Sequence, residues 1–314
     1  MHWPLVTTII PSYNHARYVE QSMRSVLDQD YPNLELIVID DGSADGSHEV
    51  IRSFAAHYPE TLAILHERNR GQSAVLNEAI GRAKGEFIQL LPSDDWYLPH
   101  KTISQVARFR ACPPEVGVVY GRGQRYFEDT GETRLAPLPL YRGWIAEKFV
   151  SHGGFVYPVT PMFRRTVFDS IAFDETFRAE GEAILPRIAL HFQFDFVEEV
   201  VGTMRDHRYN TGKRTDLMYE EVMRYWDSYF QREDVPESLR RLRKVCVRRL
   251  HRTKGLQFIG ENRDYRNGRT ALMRAIRTDV RALSDLKLMG ALLLTFAPRP
   301  VADRIVGWRR GASA

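Results

Sequence analysis

Cysteine is scarce. Cys112 and Cys246 are the only two among 314 residues, and they stand far apart. This spacing excludes a disulfide framework, a CxxC redox pair and a zinc knuckle, and it suits a reducing compartment. Long apolar runs are missing too. The longest near the C-terminal end, Leu288 to Pro298, is far short of the ~20 residues of a spanning helix, so no membrane crossing is expected. Residues 1–16 lack Lys, Arg, Asp and Glu and are interrupted by Pro4 and Pro11, which makes a poor signal peptide and a better buried strand. No HExxH, GxSxG or GxxxxGK[ST] motif occurs, and Gly121-Arg-Gly123 lacks the third glycine of a dinucleotide fingerprint. Neither a repeat nor a low-complexity tract is present. What remains is 43% apolar and 27% charged, ordinary globular proportions that exclude disordered, collagenous and coiled-coil chains.

The net charge of +4 hides a division. From Leu239 onward there are 19 basic and 5 acidic residues, net +14, which leaves net −10 for residues 1–238. The length allows one large domain with an appendage, and we read residues 1–215 as the first part and 216–314 as a basic, mostly helical second part.

Short β-rich runs alternate with amphipathic windows in the first part. Leu5–Ile10, Leu34–Ile39, Leu62–His66, Phe87–Leu91 and Val116–Tyr120 read as strands. Arg17–Asp28, Ser47–His57, Gln72–Ala83 and Lys101–Ala111 read as helices. This alternation implies an α/β domain with a mainly parallel sheet between helices. Ligands of such sheets bind at the carboxyl ends of the strands, so the segments that follow the strands carry the chemistry. They read Pro-Ser-Tyr-Asn (11–14), Asp-Asp-Gly-Ser (40–43), Glu-Arg-Asn-Arg-Gly (67–71) and Pro-Ser-Asp-Asp (92–95).

Adjacent carboxylates repel unless a cation or several donors compensate them. Either acidic pair alone reads as a turn with a helix cap. Together, Asp40-Asp41 and Asp94-Asp95 fall on one rim beside Tyr13 and Arg70, which are the parts of a metal-assisted diphosphate site. Here the segment from Thr7 to Ser47 (TTIIPSYNHARYVEQSMRSVLDQDYPNLELIVIDDGSADGS), followed by Asn69 to Lys101 (NRGQSAVLNEAIGRAKGEFIQLLPSDDWYLPHK), resembles the family 2 glycosyltransferases. The resemblance implies the GT-A fold, inverting transfer from a nucleotide-diphosphate sugar, usually a UDP-sugar, and a Mg²⁺ or Mn²⁺ ion. It would place Pro11, Tyr13 and Asn14 at the base and ribose, Asp41 as acceptor from the base and Asp40 in support of that loop. Asn69, Arg70, Gly71 and Asn77 would border the nucleotide and sugar. Asp94 would meet the ribose or sugar, and Asp95 the metal. Pro92 stands where such families often carry the first acid of Asp-x-Asp-Asp.

An inverting transfer needs a base for the acceptor hydroxyl. The family's base is the Asp of a Glu-Asp pair between a Phe-Asp-Glu turn and an Arg. This chain has Phe173-Asp174-Glu175 and Arg187, but counting back from Arg187 puts Glu180 on the first acid and Gly181 on the base. Glu182, or else Glu180, is the replacement we consider; both also read as solvated helix-start acids. His152 lies where an acceptor loop would run, and Arg205 and His207 match an Arg-x-His segment facing the diphosphate or acceptor; each also reads as a plain turn.

The C-terminal windows Tyr219–Phe230, Leu239–Leu256, Tyr265–Ile276 and Leu283–Phe296 read as helices. Arg240 to Lys254 form a basic amphipathic stretch, and Leu286 to Phe296 an apolar one followed by further arginines from Arg299 on. Packing on the first part, a homo-oligomer contact and peripheral attachment to an anionic membrane all fit; nucleic acid is not expected, for want of a motif or aromatic platform. The expected partners are a nucleotide-sugar donor and a saccharide or lipid-linked saccharide acceptor, in the cytoplasm or on the cytoplasmic face of the inner membrane, in cell-envelope or extracellular polysaccharide synthesis. Two alternatives stand beside this one: a nucleotide-sugar-binding homologue without transfer, and a sugar-1-phosphate nucleotidyltransferase. The last should carry a Gly-rich phosphate loop after its first strand, and Pro11-Ser-Tyr-Asn-His is not one.

Overall fold

The apolar run at the start of the chain does form a central strand, and the elements around it follow the alternation read from the sequence. The computed structural model describes residues 2–177, 180–208, 210 and 215–311. In chain order the first part contains β1 (Val6–Ser12), α1 (Val19–Leu27), β2 (Leu34–Asp40), α2 (Ser47–His57), β3 (Thr61–Leu65), α3 (Gln72–Arg82) and β4 (Phe87–Leu90). There follow β5 (Trp96–Tyr97), α4 (Lys101–Arg110), β6 (Val116–Phe127), β7 (Thr133–Leu135), α5 (Ala146–His152), β8 (Met162–Arg164), α6 (Ile184–Ile188) and β9 (Gln193–Asp206). Two compact units result: Met1–Ala146 with Gly154–Arg208, and Glu147–Gly153 with Tyr209–Ala314.

Among the described residues the sheet has nine strands, in the order β3-β2-β1-β4-β8-β6-β9-β5, with β7 on the edge of β6. The pairs β1–β2, β1–β4, β2–β3 and β6–β9 are parallel. β8 runs antiparallel between β4 and β6, so the fifth strand of the sequence reading does not lie directly beside the fourth. The long pairings keep the sheet mainly parallel, as expected, and it is mixed where β5, β7 and β8 join antiparallel. Local pattern could not show this, because β8 is three residues long and gains its place only through long-range pairing. β6 likewise extends to Phe127, seven residues past the expected end, because β9 pairs with it through three shifts of register out to Asp206.

Consecutive residues of β1 and β2 bury apolar side chains on both faces, as a strand covered by helices on both sides does. Ile9, Ile10, Ile37, Val38, Ile39 and Ile88 are fully buried. Strand order reverses at β1: the chain leaves it outward to β2 and β3, then returns on the other side to β4. Ser12 pairs with Asp40 and Ile9 with Leu90, so β1, β2 and β4 end along one edge. This is the crevice where open α/β sheets bind ligands.

The second unit contains α7 (Thr215–Gln231), α8 (Glu237–Arg240), α9 (Arg243–Gly260), α10 (Tyr265–Thr278), α11 (Leu286–Leu294) and α12 (Arg299–Gly311). The basic stretch expected as one helix breaks at Arg241-Leu242, and its arginines turn to carboxylates of the same unit: Arg243 to Asp227 at 2.9 Å, Arg248 to Asp279 at 2.9 Å, and Arg252 to Asp285. Its core joins Ile259, Leu272, Ala275, Leu288, Leu292 and Val306 from four helices. No helix among the described residues is long and apolar enough to cross a membrane.

Candidate active site

The loops at the ends of β1 and β2 are tied together by side-chain to backbone bonds. Asp40, fully buried, accepts from Ser43 N at 2.8 Å and from Ser43 Oγ at 2.7 Å, and its carboxylate meets His48 Nε2 at 2.9 Å. Asn14 adopts φ 56°, a left-handed conformation that Asn tolerates, and from there its N–H donates to Ser43 Oγ while its Oδ1 accepts from Ala44 N. Asp45 accepts from Ala16 N and from Ser47 N, and Ser47 Oγ accepts from His15 N. Tyr13 is thereby left half-exposed on the rim.

Asp41 joins this layer to the next. Its two oxygens accept from Arg70 N at 2.6 Å and Gly71 N at 2.9 Å, and the residue is only 4% exposed. A buried carboxylate is tolerated when backbone N–H groups satisfy it. Gly42 makes the close approach possible: at φ +75° a Cβ there would lie 2.6 Å from the Arg68 carbonyl carbon. The Arg70 guanidinium turns to Glu78 at 2.6 Å. Asn77, expected beside the nucleotide, instead donates to the Phe173 carbonyl and to Glu175 Oε1 and accepts from Phe173 N. Its amide holds the Phe-Asp-Glu turn against α3.

The second acidic pair divides. Asp95 is buried, and its Oδ1 accepts from Arg205 N at 2.8 Å while its carbonyl accepts from Ser22 Oγ. Asp94 turns the other way, toward His207 Nε2 at 3.0 Å. Side-chain donors of His15, Asp94 and His207 lie within 4.8 Å of one another, a set able to hold a metal ion. The cluster takes Asp94, while the Asp95 carboxylate, which the family resemblance assigns to the metal, meets Arg205 N. Burial would raise the Asp94 pKa, but the His207 hydrogen bond and the neighbouring imidazoles outweigh it and hold the carboxyl below its ordinary value. Burial lowers the His15 pKa against the pull of Asp94. His15 Nδ1 meets Ser93 Oγ at 2.8 Å, which fixes the ring. The sequence reading passes over His15, although its place on the polar loop after β1 was the available signal.

Arg205 is buried among the rings of Tyr18, Trp96 and Tyr126, and its Nε donates to the Asp94 carbonyl at 3.1 Å. It shapes the loop from behind. Its partner in the motif, His207, stands in the cluster.

The model of Glycosyl transferase family 2 matches residues 7–172, more than half of the chain. The chain belongs to glycosyltransferase family 2. A teichuronic acid biosynthesis glycosyltransferase, TuaG of Bacillus subtilis, assigned as putative, is 36% identical over 103 residues, 33% of this chain and 41% of TuaG. Among solved structures, Staphylococcus aureus TarS in complex with UDP-GlcNAc is similar with a TM-score of 0.65 at 17% identity, covering 98% of this chain and 92% of that one. The mannosyltransferase PcManGT of Pyrobaculum calidifontis, in complex with GDP-Man and Mn²⁺, gives a TM-score of 0.62 at 18% identity, covering 100% and 87%. These likenesses establish the GT-A fold. The chain spans 34% and 65% of the length of two curated relatives that it matches over most of its own.

Measured against the family 2 pattern, the base region departs most. Glu180 is buried, accepts from Asp174 N at 2.7 Å and pairs with Arg187 at 2.6 Å, so it is a structural acid rather than a base open to an acceptor. Burial raises its pKa against the ion pair. Gly181 has φ +51°, and a Cβ there would meet open space. The side chain of Glu182 lies outside the described residues; its backbone belongs to a 3₁₀ turn at Gly181–Ala183. Pro11, Pro92 and Gly181 line one cavity of about 60 Å³ with Leu76, Leu91 and Phe173, so both departures from the family motif border the same apolar space. His152 falls in the second unit, apart from the unit that carries every other site residue.

Two outcomes follow. Gly42→Ala should lose at least ~2 kcal/mol in urea unfolding, from left-handed strain plus the clash with backbone, whereas Gly131→Ala, with φ +72° but nothing within 4 Å, should lose only the strain of ~1–2 kcal/mol. Glu180→Ala should cost ~3 kcal/mol, because it leaves the largely covered Arg187 without its countercharge, with a matching loss in thermal unfolding temperature.

Proposed function

We propose that this chain is an inverting, metal-dependent transferase that moves a sugar from a UDP-sugar to a hydroxyl of a saccharide or lipid-linked saccharide, in envelope or extracellular polysaccharide synthesis. The observation that carries this reading is the convergence of His15, Asp94 and His207 on the rim that also bears Tyr13 and Asp41. Two imidazoles and one carboxylate fit Mn²⁺ better than Mg²⁺, which prefers an all-oxygen shell with several waters. Such an ion, when bound, supplies positive charge for the departing diphosphate.

The chain's own groups do the rest. Tyr13 offers a ring face to the base. Asp41, held by two backbone N–H groups, keeps a further lone pair on each oxygen for a base N–H. Ser93 orients His15, and the Arg205 guanidinium packed on three rings holds the Asp94 loop. Glu182, next to the vacant Cβ position of Gly181, takes the acceptor proton as the hydroxyl oxygen attacks the anomeric carbon and the diphosphate leaves from the opposite face. TuaG and the TarS complex with UDP-GlcNAc support the substrate class.

One observation favours a second reading, binding of a nucleotide sugar without transfer. The two positions where the family pattern carries acids are here Pro92 and Gly181, both on one apolar cavity, and the remaining acid Glu180 is locked to Arg187.

UDP with Mn²⁺ at about a hundredfold over its dissociation constant should add ~2.7 kcal/mol, a rise of several degrees in unfolding temperature, and Asp94→Ala should abolish the Mn²⁺-dependent part. No rise with any nucleoside diphosphate sinks the whole scheme. In a transfer assay Glu182→Ala should lose ~10²–10⁴-fold in turnover at unchanged donor affinity. An unaltered rate removes Glu182 as base, and donor binding without turnover by the unmodified chain establishes the second reading.

A further inference from the structure

The helical unit has a cavity of about 760 Å³ at the start of α10, bordered also by the segment that joins α11 to α12. Arg263, Arg266, Arg269 and Arg299 line it. The carboxylates there are engaged: Asp264 caps α10 by accepting from Asn267 N at 3.0 Å, and Asp303 accepts from Tyr265 Oη at 2.7 Å and from Arg263. Among the described residues neither Arg266 nor Arg269 has a carboxylate partner. Arg269 is nevertheless fixed, since its Nε donates to Thr295 Oγ1 at 3.0 Å and its guanidinium lies 4.1 Å from the centre of the Phe296 ring. A held guanidinium without countercharge, in an open cavity of like charge, is built for an anion.

An exposed apolar surface adjoins it. Of the exposed large hydrophobic residues described, eight of twelve fall between Met273 and Ile305, with Leu286 at 86%, Leu293 at 68% and Phe296 at 63% exposure. Leu286 and Leu293, seven apart, share the outer side of α11, while Leu288, Ala291 and Leu292 fill the core of the unit. Val301 and Ile305, four apart, do the same on α12. No charged residue interrupts Leu288 to Pro298. Soluble surfaces rarely carry such a patch without a partner.

We propose that this face seats the helical unit on an anionic bilayer, with lipid phosphate in the arginine cavity and Leu293 and Phe296 in the headgroup and acyl boundary. Charge complementarity selects this occupant. A second copy in a twofold contact would bring the arginines against themselves, and nucleic acid has no use for exposed leucines. The sequence reading put part of the membrane-facing charge on Arg240 to Lys254; ion pairs of Arg243, Arg248 and Arg252 with acids of the same unit neutralise part of the charge of that stretch.

The test is flotation of the full chain with vesicles of phosphatidylcholine, with and without about a third of phosphatidylglycerol. The chain should float with the anionic vesicles only. Arg266→Glu with Arg299→Glu, both on exposed positions, should lower the partition about tenfold or more, and Leu293→Asp should lower it with the unfolding temperature unchanged. Absence of flotation, equal flotation with neutral vesicles, or flotation that both variants leave intact overturns the proposal. A concentration-dependent dimer in vesicle-free sedimentation that Leu293→Asp dissociates, without vesicle binding, gives the face to a second copy and overturns it as well.

Discussion

Buried carboxylates that bind backbone N–H groups hold the rim of the sheet in shape. Asp40 takes Ser43, Asp41 takes Arg70 and Gly71, Asp95 takes Arg205, and Glu180 takes Asp174. An ionised carboxylate in an apolar interior is costly unless donors surround it, so each of these acids fixes the loop that supplies its donors. The site depends on that arrangement. With Asp95 turned inward, its neighbour Asp94 is directed to His207 and His15, and one acidic pair performs two separate tasks.

The charge asymmetry of the chain has a local as well as a global meaning. In the helical unit some arginines are neutralised by acids on neighbouring helices, while others, Arg266 and Arg269 among them, have no carboxylate partner among the described residues. Two of these arginines line one cavity, so the +14 over the last 76 residues includes a concentrated patch there. The exposed leucines lie beside that patch, which couples the electrostatic and the apolar contribution on one face.

Much of the site was legible because strand ends are legible. Tyr13, Asp40, Asp41, Arg70 and Asp94 were found by asking which residues follow apolar β runs, and the structure gathers them on one edge. For Asn77 and Glu180 the sequence did not show the intramolecular partners that the structure supplies, the turn at Phe173–Glu175 for the first and Arg187 for the second. His15 was passed over because its meaning comes from His207, 192 positions later in the chain.

Periodicity, turn residues and strand-end motifs determined the α/β class, the helical character of the C-terminal region and the family, because these are carried by residues close together in sequence. The antiparallel insertion of β8, the extension of β6 along β9, the division of labour between Asp94 and Asp95 and the break between α8 and α9 were decided by tertiary structure alone. Each depends on which distant segment supplies the hydrogen-bond donor, the countercharge or the apolar surface, and a linear pattern holds no record of that distance.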